Sequence, residues 1–124
     1  MKPAELRKVA LSLADVEEVP HFDRAAFRTP SRIFATLGSK GADCNVRLPL
    51  EVQDMLVESK PEMFSRLNGA WGAGGWTRID VAAIDTATCR EVLKEAHAFA
   101  GTKPKKTKKK AAVKRPAKKS KKSS

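Results

Sequence analysis

Acidic residues are missing altogether from the last stretch of this chain. Residues 102–124 hold eleven Lys and one Arg, and neither Asp nor Glu. The other 13 basic residues face 14 acidic ones, so residues 1–101 carry a net charge of −1 while the whole chain carries +11. The isoelectric point near 10.0 therefore describes the tail and not the fold. Cysteine is scarce: Cys44 and Cys89 stand far apart, each in an apolar-periodic segment, with no Cys-x-x-Cys. They read as two small buried hydrophobes in a reducing compartment. No run approaches the ~18 apolar residues a membrane span needs, and the N-terminus lacks the long apolar core of a signal peptide. A cytoplasmic chain without membrane insertion is expected. Catalytic signatures are absent too, with no Gly-x-Ser-x-Gly and no His-x-x-x-His. The two histidines, His21 and His97, have no recognisable triad around them. A non-catalytic protein is expected, with no cofactor and no metal.

What is present is organised around residues 26–48. Thr29-Pro30-Ser31 and Gly38-Ser39-Lys40-Gly41 divide this stretch. Pro fixes φ and Gly permits positive φ, so both divisions read as turns. The runs between them are rich in Phe, Ile, Leu, Val and Thr and suit strands. Three antiparallel strands are expected, at 26–29, 32–37 and 43–48. Alternation puts Ile33, Ala35 and Leu37 on one face with Cys44, Val46 and Leu48. The opposite parity gathers Arg32, Phe34 and Thr36 with Asn45 and Arg47. One face is aliphatic; the other is basic with an aromatic among the arginines.

Around this stretch the periodicity predicts a helix over 4–13, with Leu6, Val9, Ala10 and Leu13 as its apolar stripe. Glu18–Phe22 reads as an edge strand limited by Pro20. A second helix is expected over Leu50–Ser59, with Val52, Met55 and Leu56 inward, ended by Pro61. Met63 and Phe64 pin the next turn to the core. Residues 69–75 contain four glycines in seven positions. Without a Gly-Lys-Ser/Thr ending they read as a mobile hairpin loop rather than a phosphate cradle. Trp76–Val81 alternates as a further strand, with Trp76, Arg78 and Asp80 outward. Asp85 suits the N-cap of a last helix over Thr86–Ala100, and Gly101 its C-terminal stop. From Thr102 the composition turns to Lys, Ala, Pro, Ser and Thr. Such a segment buries too little apolar surface to offset its ordering entropy and is expected to be disordered. One α+β domain at 1–101 with a basic tail at 102–124 follows: an antiparallel sheet packed on one face by helices.

Val-Glu-Glu-Val-Pro-His-Phe (16–22), Ala-Phe-Arg (26–28), Arg-Ile-Phe-Ala-Thr-Leu (32–37), Arg-Leu-Pro (47–49) and Gly-Trp-Thr-Arg-Ile-Asp (75–80) resemble the MmcQ/YjbR family, as does Ala96-His97 near the end of the last helix. The likeness covers roughly residues 4–100. It implies a frataxin-like (CyaY-like) fold, also termed double-wing, and a family commonly described as DNA-binding. It brings no catalytic residue. Frataxin-like iron binding would need an acidic ridge on the first helix, where this chain offers Glu5 with Arg7 and Lys8. The tail lies outside the resemblance and is similar in composition to linker-histone tails.

The expected partner is nucleic acid, DNA ahead of RNA, with nucleoid association and no protein partner specified. In the tail, Lys105, Lys106, Lys108, Lys109, Lys110, Lys114, Arg115, Lys118, Lys119, Lys121 and Lys122 would displace counterions from phosphates without sequence preference. On the sheet, Arg28, Arg32, Arg47 and Arg78 would grip phosphates beside Phe34 and Trp76, which stack on bases. The alternative is a small-ligand or protein-interaction module, with a pocket made by Trp71, Trp76 and the Gly-rich segment and the tail as a localising or solubilising appendage.

Overall fold

Six short runs of alternating side chains hydrogen-bond into one antiparallel sheet. In the computed structural model, which describes residues 1–101, these are β1 (Glu17–His21), β2 (Arg24–Arg28), β3 (Ile33–Gly38), β4 (Asp43–Arg47), β5 (Phe64–Arg66) and β6 (Trp76–Asp80). They lie in the order β1-β2-β3-β4-β6-β5. The helices are α1 (Pro3–Leu11), α2 (Leu50–Ser59), α3 (Gly69–Ala73) and α4 (Thr86–Ala100). α1 and α4 pack on each other and on the central strands, and α2 packs by β5. The expected α+β class, with helices on one sheet face, is the one observed.

The helices begin and end where local chemistry dictates. Glu5 accepts a bond from the Lys2 N–H at the start of α1. α1 stops at Leu11, two residues early, because the Ser12 hydroxyl turns back to donate to the Val9 carbonyl at 2.6 Å and Asp15 takes a positive φ of 60°. The Asp85 carboxylate accepts from the Thr88 N–H at 3.0 Å and caps α4. Leu6, Val9 and Ala10 of α1 and Cys89, Val92, Leu93 and Ala96 of α4 meet Phe27, Ala35, Cys44, Val46 and Ile79 of the sheet in one core. β5, where the sequence predicts a turn, adds buried Phe64 opposite Ile79.

The alternation expected for β3 fails at one point. Phe27 pairs with Ala35 and Arg28 with Ile33, so Phe34 has no partner of its own across the ladder. This is a β-bulge, and one extra residue reverses the facing of everything before it. Phe34 turns into the core, fully buried, with its ring edge-on to His97 at 5.5 Å. Ile33 turns to the opposite face. The expectation that Phe34 stacks on bases from the outer face is therefore corrected: its ring belongs to the core. Replacing it tests the placement. Phe34→Ala should lower unfolding stability by about 3–5 kcal/mol, read from denaturant midpoints, whereas an outward ring would cost little.

Both thiols are free and buried. Burial pushes Cys89 from an ordinary 9.0 to about 11; it raises Cys44 further, with Cys89 as the second cause. Folding thus favours the protonated thiols. That contribution is whole below about pH 9 and is lost as pH rises through about 11. The unfolding midpoint should fall over this range, and Cys89→Ala should flatten part of the fall.

Candidate nucleic-acid interface

The sheet face opposite the helices carries a groove of about 360 Å³. His21, Arg24, Ile33, Thr36, Asn45 and Trp76 come to it from β1, β2, β3, β4 and β6, while Leu67 and Trp71 close it from the β5–β6 connection. Ladder register sets the floor, because Thr36 pairs with Asn45 and Asn45 with Arg78. Arg24 is already committed there. It donates to the Thr36 hydroxyl at 2.9 Å and pairs with Asp43 at 2.9 Å. Asn45 is the opposite case. Its Oδ1 is buried and has no hydrogen-bond partner among the described residues, a deficit worth about 1–3 kcal/mol. The amide torsion of Asn is soft, so this group can turn either its oxygen or its NH2 toward a ligand.

The groove's aromatic wall depends on a buried amide. Gln53, 1% exposed, donates through Nε2 to the Gly72 carbonyl, the Trp76 carbonyl and the Thr77 hydroxyl, each at 3.1 Å. Its Oε1 accepts from Arg66 Nε at 3.1 Å, and Arg66 also pairs with Asp54. α2 is accordingly turned from the expected orientation: Gln53 and Leu56 are buried while Met55 lies outside. The Gly-rich segment is likewise not a hairpin loop. Residues 69–73 form α3, closed by Gly74 N–H donating to the Ala70 carbonyl at 3.0 Å. Gly72 within α3 and Gly75 just beyond it must be Gly for reasons of space. A Cβ on Gly72 would lie 1.8 Å from the Leu67 carbonyl oxygen, and one on Gly75, at φ +104°, would lie 2.2 Å from that of Leu48. So held, Trp71 and Trp76 meet edge to face at 6.3 Å. Trp71 remains 66% exposed. The same two rings line a second depression of about 400 Å³ together with Arg47, so they stand between the groove and that guanidinium.

The four expected arginines divide. Arg78 lies exposed on the open face beside Asn45. Arg28, Arg32 and Arg47 sit where β2 ends, β3 begins and β4 ends, which antiparallel order makes one end of the sheet. Thr29 builds the turn there: its hydroxyl accepts from the Ser31 and Arg32 N–H groups. Arg28 donates to the Thr29 carbonyl. Arg47 donates to the Gly74 carbonyl at 3.1 Å and lies 5.5 Å from the Phe99 ring centre. α4 also ends here, with Gly101 beside Ser31. Among the described residues no carboxylate forms an ion pair with any of these four, although Glu17 stands across the ladder from Arg28, whereas Arg7, Arg24 and Arg66 each have an ion-paired carboxylate. The tail residues expected to bind phosphate, positions 105–122, lie outside the described residues. At the far end of the sheet, Phe22 is 94% exposed on the β1–β2 turn, at φ 60°. Sequence reasoning puts Asn45 on the outer face and Phe22 at the end of an edge strand but assigns neither a role, and it does not single out Gln53; their roles depend on register and not on local pattern.

Helices on one side of a six-stranded antiparallel sheet and an open, groove-bearing face on the other define a small α+β sandwich. The chain belongs to the YjbR family, which matches it over residues 11–99; the resemblance seen in the motifs holds. In fold it is similar to the Deinococcus radiodurans protein DR2400, described by its DUF419 domain, with a TM-score of 0.67 and 14% identity over 77% of this chain and 75% of that one. It is also similar to a Pseudomonas syringae protein, with a TM-score of 0.65 and 12% identity over 82% of this chain and 100% of that one. No curated protein matches the chain. No helix among the described residues is long and apolar enough to cross a membrane.

Gln53→Ala removes the donor that three oxygens share. It should cost about 2–4 kcal/mol of stability and shift tryptophan emission to the red, since Trp76 loses its backbone anchor. An unchanged emission spectrum would contradict this account of the wall.

Proposed function

We propose that this protein binds nucleic acid without catalysing a reaction on it, DNA being the expected form. The observation that carries the reading is the position of Gly101. The run of twelve cationic residues over 102–124 leaves the described domain at the sheet end where Arg28, Arg32 and Arg47 stand without an ion-paired carboxylate among the described residues. One polyanion meeting that end meets both sets of charges. The domain's overall charge is close to neutral, so the local arrangement and not the net charge of residues 1–101 favours binding.

Lysine contacts release counterions from the phosphates and give affinity that falls steeply with salt. Guanidinium groups held at fixed turns add geometry, because Arg can meet a phosphate through two parallel bonds. About six phosphate contacts would give a slope of log K against log salt of roughly −5 and an affinity loss on the order of a thousandfold between 50 and 200 mM salt.

The test is a salt series with labelled DNA and the full chain. The triple variant Arg28→Ala/Arg32→Ala/Arg47→Ala should weaken binding at every salt concentration and reduce the slope by about 2–3. Changing the tail lysines to Gln should reduce it further. Binding that ignores ionic strength, or a triple variant that binds as the parent does, would refute the reading.

A further inference from the structure

Resting on that reading, we infer that the groove on the open sheet face receives a single unstacked base of a single-stranded nucleic acid. Double-stranded phosphate backbone alone would need only the cationic end and the tail. The groove offers what a backbone does not use. Its walls are aromatic, with Trp71 exposed and set edge to face against Trp76. Its floor contains the buried oxygen of Asn45, which has no partner among the described residues. A flat ring with N–H and carbonyl groups on its edge satisfies both features at once: the face stacks on indole, and the edge pairs with the carboxamide.

The charges around the groove fit a base that is still attached to its strand. Arg78 is the ladder partner of Asn45, exposed and without an ion-paired carboxylate among the described residues. Arg47 lies behind the tryptophan wall in the second depression. A strand that leaves its base between them places phosphates within reach on either side. Arg24, by contrast, is spent on Thr36 and Asp43 and serves as floor. A groove of about 360 Å³ lies at the small end of ligand sites, which suits one ring system and not a run of stacked bases. Discrimination among bases then falls to Asn45, whose buried Oδ1 has no hydrogen-bond partner among the described residues.

The experiment compares two oligomers of equal length and charge, one single-stranded with normal bases and one abasic throughout. Both are titrated into the full chain near 200 mM salt, where the tail contributes least. The normal oligomer should bind on the order of tenfold more tightly and quench tryptophan emission; the abasic one should bind without quenching. Trp71→Ala, at an exposed position, should abolish the difference and leave the abasic affinity unchanged. Asn45→Ala should level the affinities of the four homopolymers while the quench persists. Equal binding of the two oligomers, or a difference that survives Trp71→Ala, would overturn the base site and leave the polyanion reading standing. Failure of both oligomers to bind at about 50 mM salt as well as at about 200 mM would overturn both. Quenching by a free nucleoside with no response to either oligomer would make the groove a small-molecule site and end the inference.

Discussion

One surplus residue in β3 decides what each face of this protein can be. Across the break, Arg28 pairs with Ile33 and Phe27 with Ala35, and Phe34 goes inward to lie fully buried against His97. His97 in turn donates from Nε2 to the Ala14 carbonyl at 2.7 Å. α4, β3 and the segment after α1 are thereby locked at a single point. The cost of an interrupted ladder is offset by burying a phenyl ring, worth roughly 2–3 kcal/mol in transfer terms. On the other side, the medium-sized Ile33 takes the position that a phenyl ring would have filled, and the groove stays open.

The groove and the helix layer are also linked through polar bonds. Gln53 belongs to α2, on the covered side, yet its amide fixes the backbone from which Trp71 and Trp76 project on the open side. A fully satisfied buried amide is rigidifying, and a partly satisfied one is costly. The wall is therefore as firm as the seating of α2. The floor has the reverse character: Asn45 is left short of a partner, the kind of local inconsistency that tends to mark a working surface.

Local pattern was enough for much of this. Proline and glycine marked the turns, apolar spacing located α1 and α4, and the side-chain alternation of β4 and β6 holds, with Cys44, Val46 and Ile79 buried. Parity failed only where it had to, in β3, because a bulge leaves no trace in composition. The rotation of α2 was hidden for a related reason. Gln53 reads as a solvent-facing residue until the acceptors from β6 and α3 are placed around it, and those lie about twenty positions away. α3 was hidden by its glycines, which disfavour helix locally but are required by the close passage of Leu67 and Leu48. Of the proposed contacts, Arg78 and Trp76 stand on the open face as read. Arg47, the ladder partner of Trp76, is on that face too, and it shares a sheet end with Arg28 and Arg32, because arginines at strand termini gather by topology and not by facing.

The two ends of the sheet differ in a way that acts before any contact is made. Asp23, Asp80 and the Arg24-paired Asp43 lie at the end opposite Arg28, Arg32 and Arg47, with Arg24, Lys40 and Glu17 offsetting part of the contrast. A nearly neutral body of this kind still has a permanent dipole. If the proposed polyanion is the partner, its field would exert a torque on this dipole and turn the guanidinium end forward during approach. Encounters that begin badly oriented would then be corrected in solution, and the rate of capture would rise without any added strength in the final grip.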